Sequence, residues 1–77
     1  MRFEIFDMNG KSYSKEGKFG GDVISWDDDS AEIRSIILDR GIITNPTGIN
    51  MATLDKDTII ILVKKSNKQI YLAKRIL

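Results

Sequence analysis

DDDSAEIRSIILDRG, residues 27–41, is the stretch on which the fold turns. Three aspartates precede an apolar run, and they either begin a helix or hold a metal ion. Asp29 followed three residues later by Glu32 has the form of a capping box: the first carboxylate accepts from free N–H groups of a helical turn, and the glutamate reaches back. Asp27 and Asp28 then lie near the positive end of the helix dipole. Ile33, Ile36 and Ile37 recur at i, i+3 and i+4, and Leu38 widens the stripe. Arg40 falls in the last turn, Gly41 suits the left-handed residue that ends a helix, and Ile42 would touch Ile37. The spacing predicts a helix of about ten residues, roughly 15 Å long.

The metal reading fares worse. An EF-hand loop starting at Asp27 needs glycine at its sixth position and glutamate at its twelfth, where this chain has Glu32 and Leu38. A helix N-terminus also favours anions over cations. No metal site is expected, and the carboxylates read as a cap with a solvated acidic patch around it.

On the N-terminal side, Phe3–Met8 reads as a strand and Asn9-Gly10 as a two-residue hairpin turn. That turn sets Phe6 opposite Tyr13 and Glu4 opposite Lys15, an aromatic pair and a charge pair that favour the register. Gly17, Gly20 and Gly21 interrupt the pattern, and Asp22–Trp26 resumes it as a third strand. On the C-terminal side, Asn45–Gly48 is a turn signal, and Ile49, Met51 and Leu54 are expected to pin a long connection to the core. Thr58–Lys64 is an apolar, β-branched strand, Ser66-Asn67 turns it, and Lys68–Leu77 returns, with Val63 opposite Ile70 and Ile61 opposite Leu72.

The expected fold class is therefore α+β: a single small domain over residues 1–77, with order β-β-β-α-β-β and a twisted, mainly antiparallel sheet carrying one helix on one face. Ile33, Ile36 and Ile37 would cover the face made by Ile61, Val63, Ile70 and Leu72. The opposite face, with Ile60, Leu62 and Tyr71 joined by Phe6 or Trp26, would stay apolar, a surface that monomers rarely leave open. Either a second copy or another protein closes it, or the sheet curls so that the N-terminal hairpin covers it, and association is the favoured reading.

Composition narrows function further. The chain has 77 residues with no cysteine and no histidine, which excludes Ser-His-Asp and Cys-His nucleophiles and the usual zinc motifs. Gly10-Lys11-Ser12 has the end of a phosphate-binding loop, but Ile5 stands where that loop needs its first glycine. Gly17-Lys18-Phe19-Gly20 has the G-x-x-G form of a KH clamp, but strands rather than helices flank it. No enzyme, cofactor or small-molecule substrate is expected. The longest apolar run, Ile59–Val63, is far short of the roughly 20 residues that span a bilayer, and the lack of cysteines fits a cytoplasmic location.

The formal net charge of +1 conceals an asymmetry. Residues 1–57 hold seven Lys and Arg against eleven acids, a net −4, whereas residues 58–77 hold five Lys and Arg and no acid, a net +5. Two function classes follow. The first is a non-enzymatic protein-binding module, such as a small inhibitor or regulator, for instance one encoded by a phage or mobile element against a host or defence protein. Its expected contacts are Asp27 and Asp28 of the acidic patch and Ile60, Leu62 and Tyr71 of the spare sheet face, with a second copy of the chain as one candidate partner. The second is a nucleic-acid-binding domain using the basic C-terminal hairpin, with Lys64, Lys65, Lys68, Tyr71, Lys74 and Arg75.

Overall fold

The computed structural model describes residues 1–27, 29–38, 41–44, 46 and 58–76. Its strands are β1 (Arg2–Phe6), β2 (Ser12–Glu16), β3 (Lys18–Gly20), β4 (Val23–Trp26), β5 (Asp29–Leu38), β6 (Gly41–Thr44), β7 (Ile59–Lys64) and β8 (Ile70–Arg75). All belong to one sheet, in the order β2-β1-β8-β7-β5-β4-β3, with β6 beside the end of β5. Every pairing is antiparallel. The two ends of this order, β2 and β3, are separated in the chain only by Gly17. One bent strand thus serves both edges, and the sheet curls into a nearly closed barrel.

The predicted α+β fold is incorrect: the described residues contain no helix, and the predicted helix is strand β5. The cause is a β-bulge. Along β5, Ala31 and Ile33 are buried at the strand spacing of two, but the register against β7 steps from Ile33↔Leu62 to Ser35↔Ile61. Arg34 is the extra residue, so the next buried side chain is Ile36 rather than residue 35. One inserted residue turns a spacing of two into three, which imitates the i, i+3 stripe of a helix. Ladder hydrogen bonds from β4 and β6 on one side and β7 on the other hold β5 extended.

The acidic residues have correspondingly different places. Asp29 opens a strand, and its Oδ1 accepts a 2.7 Å bond from the Ser30 N–H. Glu32 lies 3.7 Å from the exposed Arg34 guanidinium, and Asp28 and Arg40 lie outside the described residues. So does most of the Asn45–Thr58 connection, with Ile49, Met51 and Leu54.

The first hairpin also departs from expectation by one residue. Ile5, not Phe6, faces Tyr13, and Glu4 faces Ser14. Asp7 is responsible: its Oδ1 accepts from the N–H groups of Asn9 (2.9 Å) and Lys11 (3.0 Å), and its own N–H donates to the Lys11 carbonyl (2.9 Å). This builds a loop over residues 7–11 in place of a two-residue turn, with Gly10 at φ +81°. The last hairpin pairs as expected, Val63 with Ile70 and Ile61 with Leu72.

The barrel interior holds Phe3, Ile5, Ile24, Trp26, Ala31, Ile33, Ile36, Ile60, Leu62 and Ala73. Ala73 lies opposite both Ile5 and Ile60, and small residues beside large ones fill a narrow barrel without voids. Gly17 makes the seam: a Cβ there would sit 2.7 Å from Phe3 Cδ2, and its N–H donates 2.8 Å to the Met1 carbonyl.

Candidate functional site at the barrel mouth

Following each inward stripe one step past the apolar core leads, on six segments, to the same end of the barrel. Phe3 and Ile5 lead to Asp7; Ile24 leads to Trp26; Ile33 and Ala31 lead back to Asp29; Ile60 and Leu62 lead to Lys64; Ala73 leads back to Tyr71. On β2 the inward residues are Lys15 and Tyr13, which pair with Phe3 and Ile5. Neighbouring strands run in opposite directions, so the start of one stripe and the end of the next share a rim. The result is an apolar plug capped by a ring of aromatic and charged side chains.

The ring encloses an open cleft of about 200 Å³, lined by Tyr13, Lys15, Trp26, Asp27, Lys64 and Tyr71 above Ile5 and Asp7. A second, wider opening of about 490 Å³ shares Trp26 and Asp27 and runs between Glu16 and Lys18 on one side and Ser25, Asp29 and Ser30 on the other. It lies where β2 and β4 splay apart beside the seam.

Contacts fix the ring. Lys64 Nζ sits 5.4 Å from the centroids of both Trp26 and Tyr71, whose rings meet edge to face at 5.8 Å. The same ammonium is 3.4 Å from Asp29 Oδ2, which also accepts a 2.7 Å bond from the Ser66 hydroxyl. Lys15 Nζ pairs with Asp27 Oδ2 at 2.7 Å and lies 5.9 Å from the Tyr13 centroid. Asp27 has φ 50°, a left-handed conformation that aspartate tolerates better than most residues. The Tyr13 hydroxyl donates to Asp7 Oδ2 (3.2 Å) and the Tyr71 hydroxyl to Gln69 Oε1 (3.3 Å).

These bonds move the titrations. The Ser66 hydroxyl, followed by the Ser30 N–H, holds the Asp29 carboxyl below its ordinary range. Desolvation pushes Asp7 up, but the N–H groups of Lys11 and Asn9 and the Tyr13 hydroxyl together outweigh it and bring it below its ordinary range. The bond to Asp7 pushes the Tyr13 phenol up. Of the carboxylates Asp7, Asp27 and Asp29 at the mouth, Asp27 and Asp29 each hold a lysine. Among the described residues no group of three or more acids, histidines or cysteines is arranged to hold a metal ion.

The sequence-derived sites are redistributed. Ile60 (1% exposed) and Leu62 (fully buried) lie inside the barrel, not on a spare face, and Tyr71 lines the mouth. Asp27 is on the mouth but tied to Lys15. Of the basic set, Lys64 and Tyr71 are in the ring, and Lys65 and Lys68 stand on the adjoining β7–β8 turn. Lys74, paired with Ile59 and Glu4, faces outward, and Arg75, opposite Phe3, lies at the far end. Sequence reasoning missed Asp7, Tyr13 and Lys15, and placed Trp26 beside Tyr71 on a spare sheet face and not at a barrel mouth. Period-two alternation carried past the apolar runs of β1 and β4 reaches Asp7 and Trp26, whereas Tyr13 and Lys15 follow only from the pairing of β2 with Ile5 and Phe3.

Comparison with protein-family models, curated proteins and solved structures found no match for this chain. No helix among the described residues is long and apolar enough to cross a membrane.

Proposed function

We propose that this chain is a non-enzymatic protein-binding module that docks through the outer wall of β7 and β8. The observation that carries this reading is the fate of the face assigned above to the helix. Among the described residues no helix lies over Ile61, Val63, Ile70 and Leu72, and Ile70 (47%) and Leu72 (39%) are exposed. Phe6 extends the wall onto β1 opposite Leu72, and Ile37 and Ile59 extend it toward β5. A continuous apolar wall of this kind costs free energy in water until a partner removes it from solvent.

The partner this wall suits best is a second copy. Glu4 and Lys74 are cross-strand neighbours beside the apolar strip, so two walls related by a two-fold axis can set each carboxylate against an ammonium of the other. An isologous interface requires such self-complementarity. A small regulator or inhibitor would use the same wall to mask an apolar surface on its target.

The test is sedimentation equilibrium over a wide concentration range, with Leu72→Glu as the variant. The wild type is expected to exceed the monomer mass as concentration rises, and the variant to remain a monomer with an unchanged circular dichroism spectrum. A wild type that stays monomeric throughout refutes self-docking.

A further inference from the structure

The mouth is a separate surface from the outer wall, and its chemistry suits a different ligand. Three aromatic rings, Tyr13, Trp26 and Tyr71, and two ammonium groups, Lys15 and Lys64, converge on a cleft of about 200 Å³. That is below the roughly 300 Å³ at which drug-sized pockets begin, so the cleft itself takes one ring system and the rest of the ligand lies on the rim outside it. Tyr13 offers an open ring, being 41% exposed. Lys11, Lys65 and Lys68 are exposed on the two loops at the same rim.

We propose that this mouth binds a nucleotide unit, its planar base stacked on the open ring of Tyr13 and its phosphate held by Lys15 together with the exposed lysines of the rim. Stacking rings beside cations that track a phosphate backbone are the combination with which proteins hold single strands without reading their sequence. The carboxylates do not close the site to an anion. Asp7, Asp27 and Asp29 are outnumbered at this rim by Lys11, Lys15, Lys64, Lys65 and Lys68, three of them exposed. Asp27 and Lys15 form an ion pair whose side chains are 59% and 34% exposed. Such a pair is weak in water, and a phosphate with more negative charge displaces it.

Free nucleotides and single-stranded nucleic acid share this chemistry, and titration separates them. Trp26 is the sole tryptophan and sits in the ring, so its fluorescence reports occupancy without a label. At low salt the full chain is titrated with adenosine monophosphate, with a short oligodeoxythymidine and with duplex DNA. A saturable fluorescence change with the mononucleotide supports the site with free nucleotide as a ligand; a change with the oligonucleotide alone supports it with a single strand as the ligand.

In either case Tyr13→Ala and Lys15→Ala are expected to weaken binding by about tenfold or more, while Lys74→Ala and Leu72→Glu leave it unchanged. Tyr13 and Lys15 lie outside the buried core, so their variants are expected to fold, which circular dichroism checks. The proposal is overturned if neither single-stranded ligand alters the fluorescence up to millimolar concentration, if the Tyr13 and Lys15 variants bind like the wild type, or if duplex DNA binds as tightly as the single strand.

Discussion

Gly17 shows how much of the fold can depend on one missing carbon. The strand that closes the barrel must bend there and pass against Phe3, and a methyl group would lie 2.7 and 2.9 Å from two ring carbons of that side chain. Gly17→Ala is therefore expected to destabilise the protein by about 1–3 kcal/mol through overpacking, read as a lower thermal midpoint with unchanged strand content. Asp29 acts through charge. Its folded-state carboxyl is held below the ordinary value of 3.8, first by the Ser66 hydroxyl. A group depressed in this way stabilises the folded state above its unfolded pKa, and the contribution is lost as pH falls through the folded value. Thermal midpoints of the wild type should fall more steeply with acidification below about pH 4 than those of Asp29→Asn. The flattening will be partial, because Asp7 and Glu16 are also lowered.

At the scale of the element, β5 is the instructive case. Its sequence satisfies a helix rule and a strand rule at once, since the stripe of Ile33 and Ile36 arises from either a 3.6-residue period or an interrupted period of two. Deleting Arg34 separates the two. In the barrel the deletion removes the bulged residue and leaves Ile33 inward, Ser35 outward and Ile36 inward, so the chain is expected to fold with its strand spectrum intact and stability lowered. Deleting Glu32 instead moves Ala31 out of phase with Ile33 and is expected to abolish the cooperative thermal transition. The same logic explains the first hairpin, where Asn9-Gly10 is a strong turn signal that Asp7 overrides by capping a longer loop. A one-residue difference there exchanges which of Ile5 and Phe6 faces Tyr13.

At the scale of the whole molecule, closure reverses inside and outside. Treated as one sheet under a helix, the last hairpin has Ile61 and Leu72 covered and Ile60 and Leu62 open. Curled into a barrel, it has Ile60 and Leu62 in the core and Leu72 on the wall. Alanine substitution tests this directly. Leu62→Ala is expected to cost about 2–5 kcal/mol in chemical denaturation, the range for emptying a buried site, while Leu72→Ala stays within about 1 kcal/mol of the wild type. Closure also creates the mouth, since only a barrel brings β2 and β4 round to face β7 and β8 across one opening.

The chain by itself determined most of what is local. It placed strands near Phe3–Phe6, Val23–Trp26, Ile59–Lys64 and Ile70–Arg75, the turn around Ser66 and the pairing of the last hairpin, because alternation, β-branching and turn chemistry act between near neighbours. What only the tertiary structure decided is the state of residues 29–38, the direction each stripe faces and the gathering of Tyr13, Lys15, Trp26, Lys64 and Tyr71. Each of these depends on hydrogen bonds and packing between segments distant in sequence. A bulge is recognisable only against its partner strand, and inward differs from outward only once the sheet has bent back on itself.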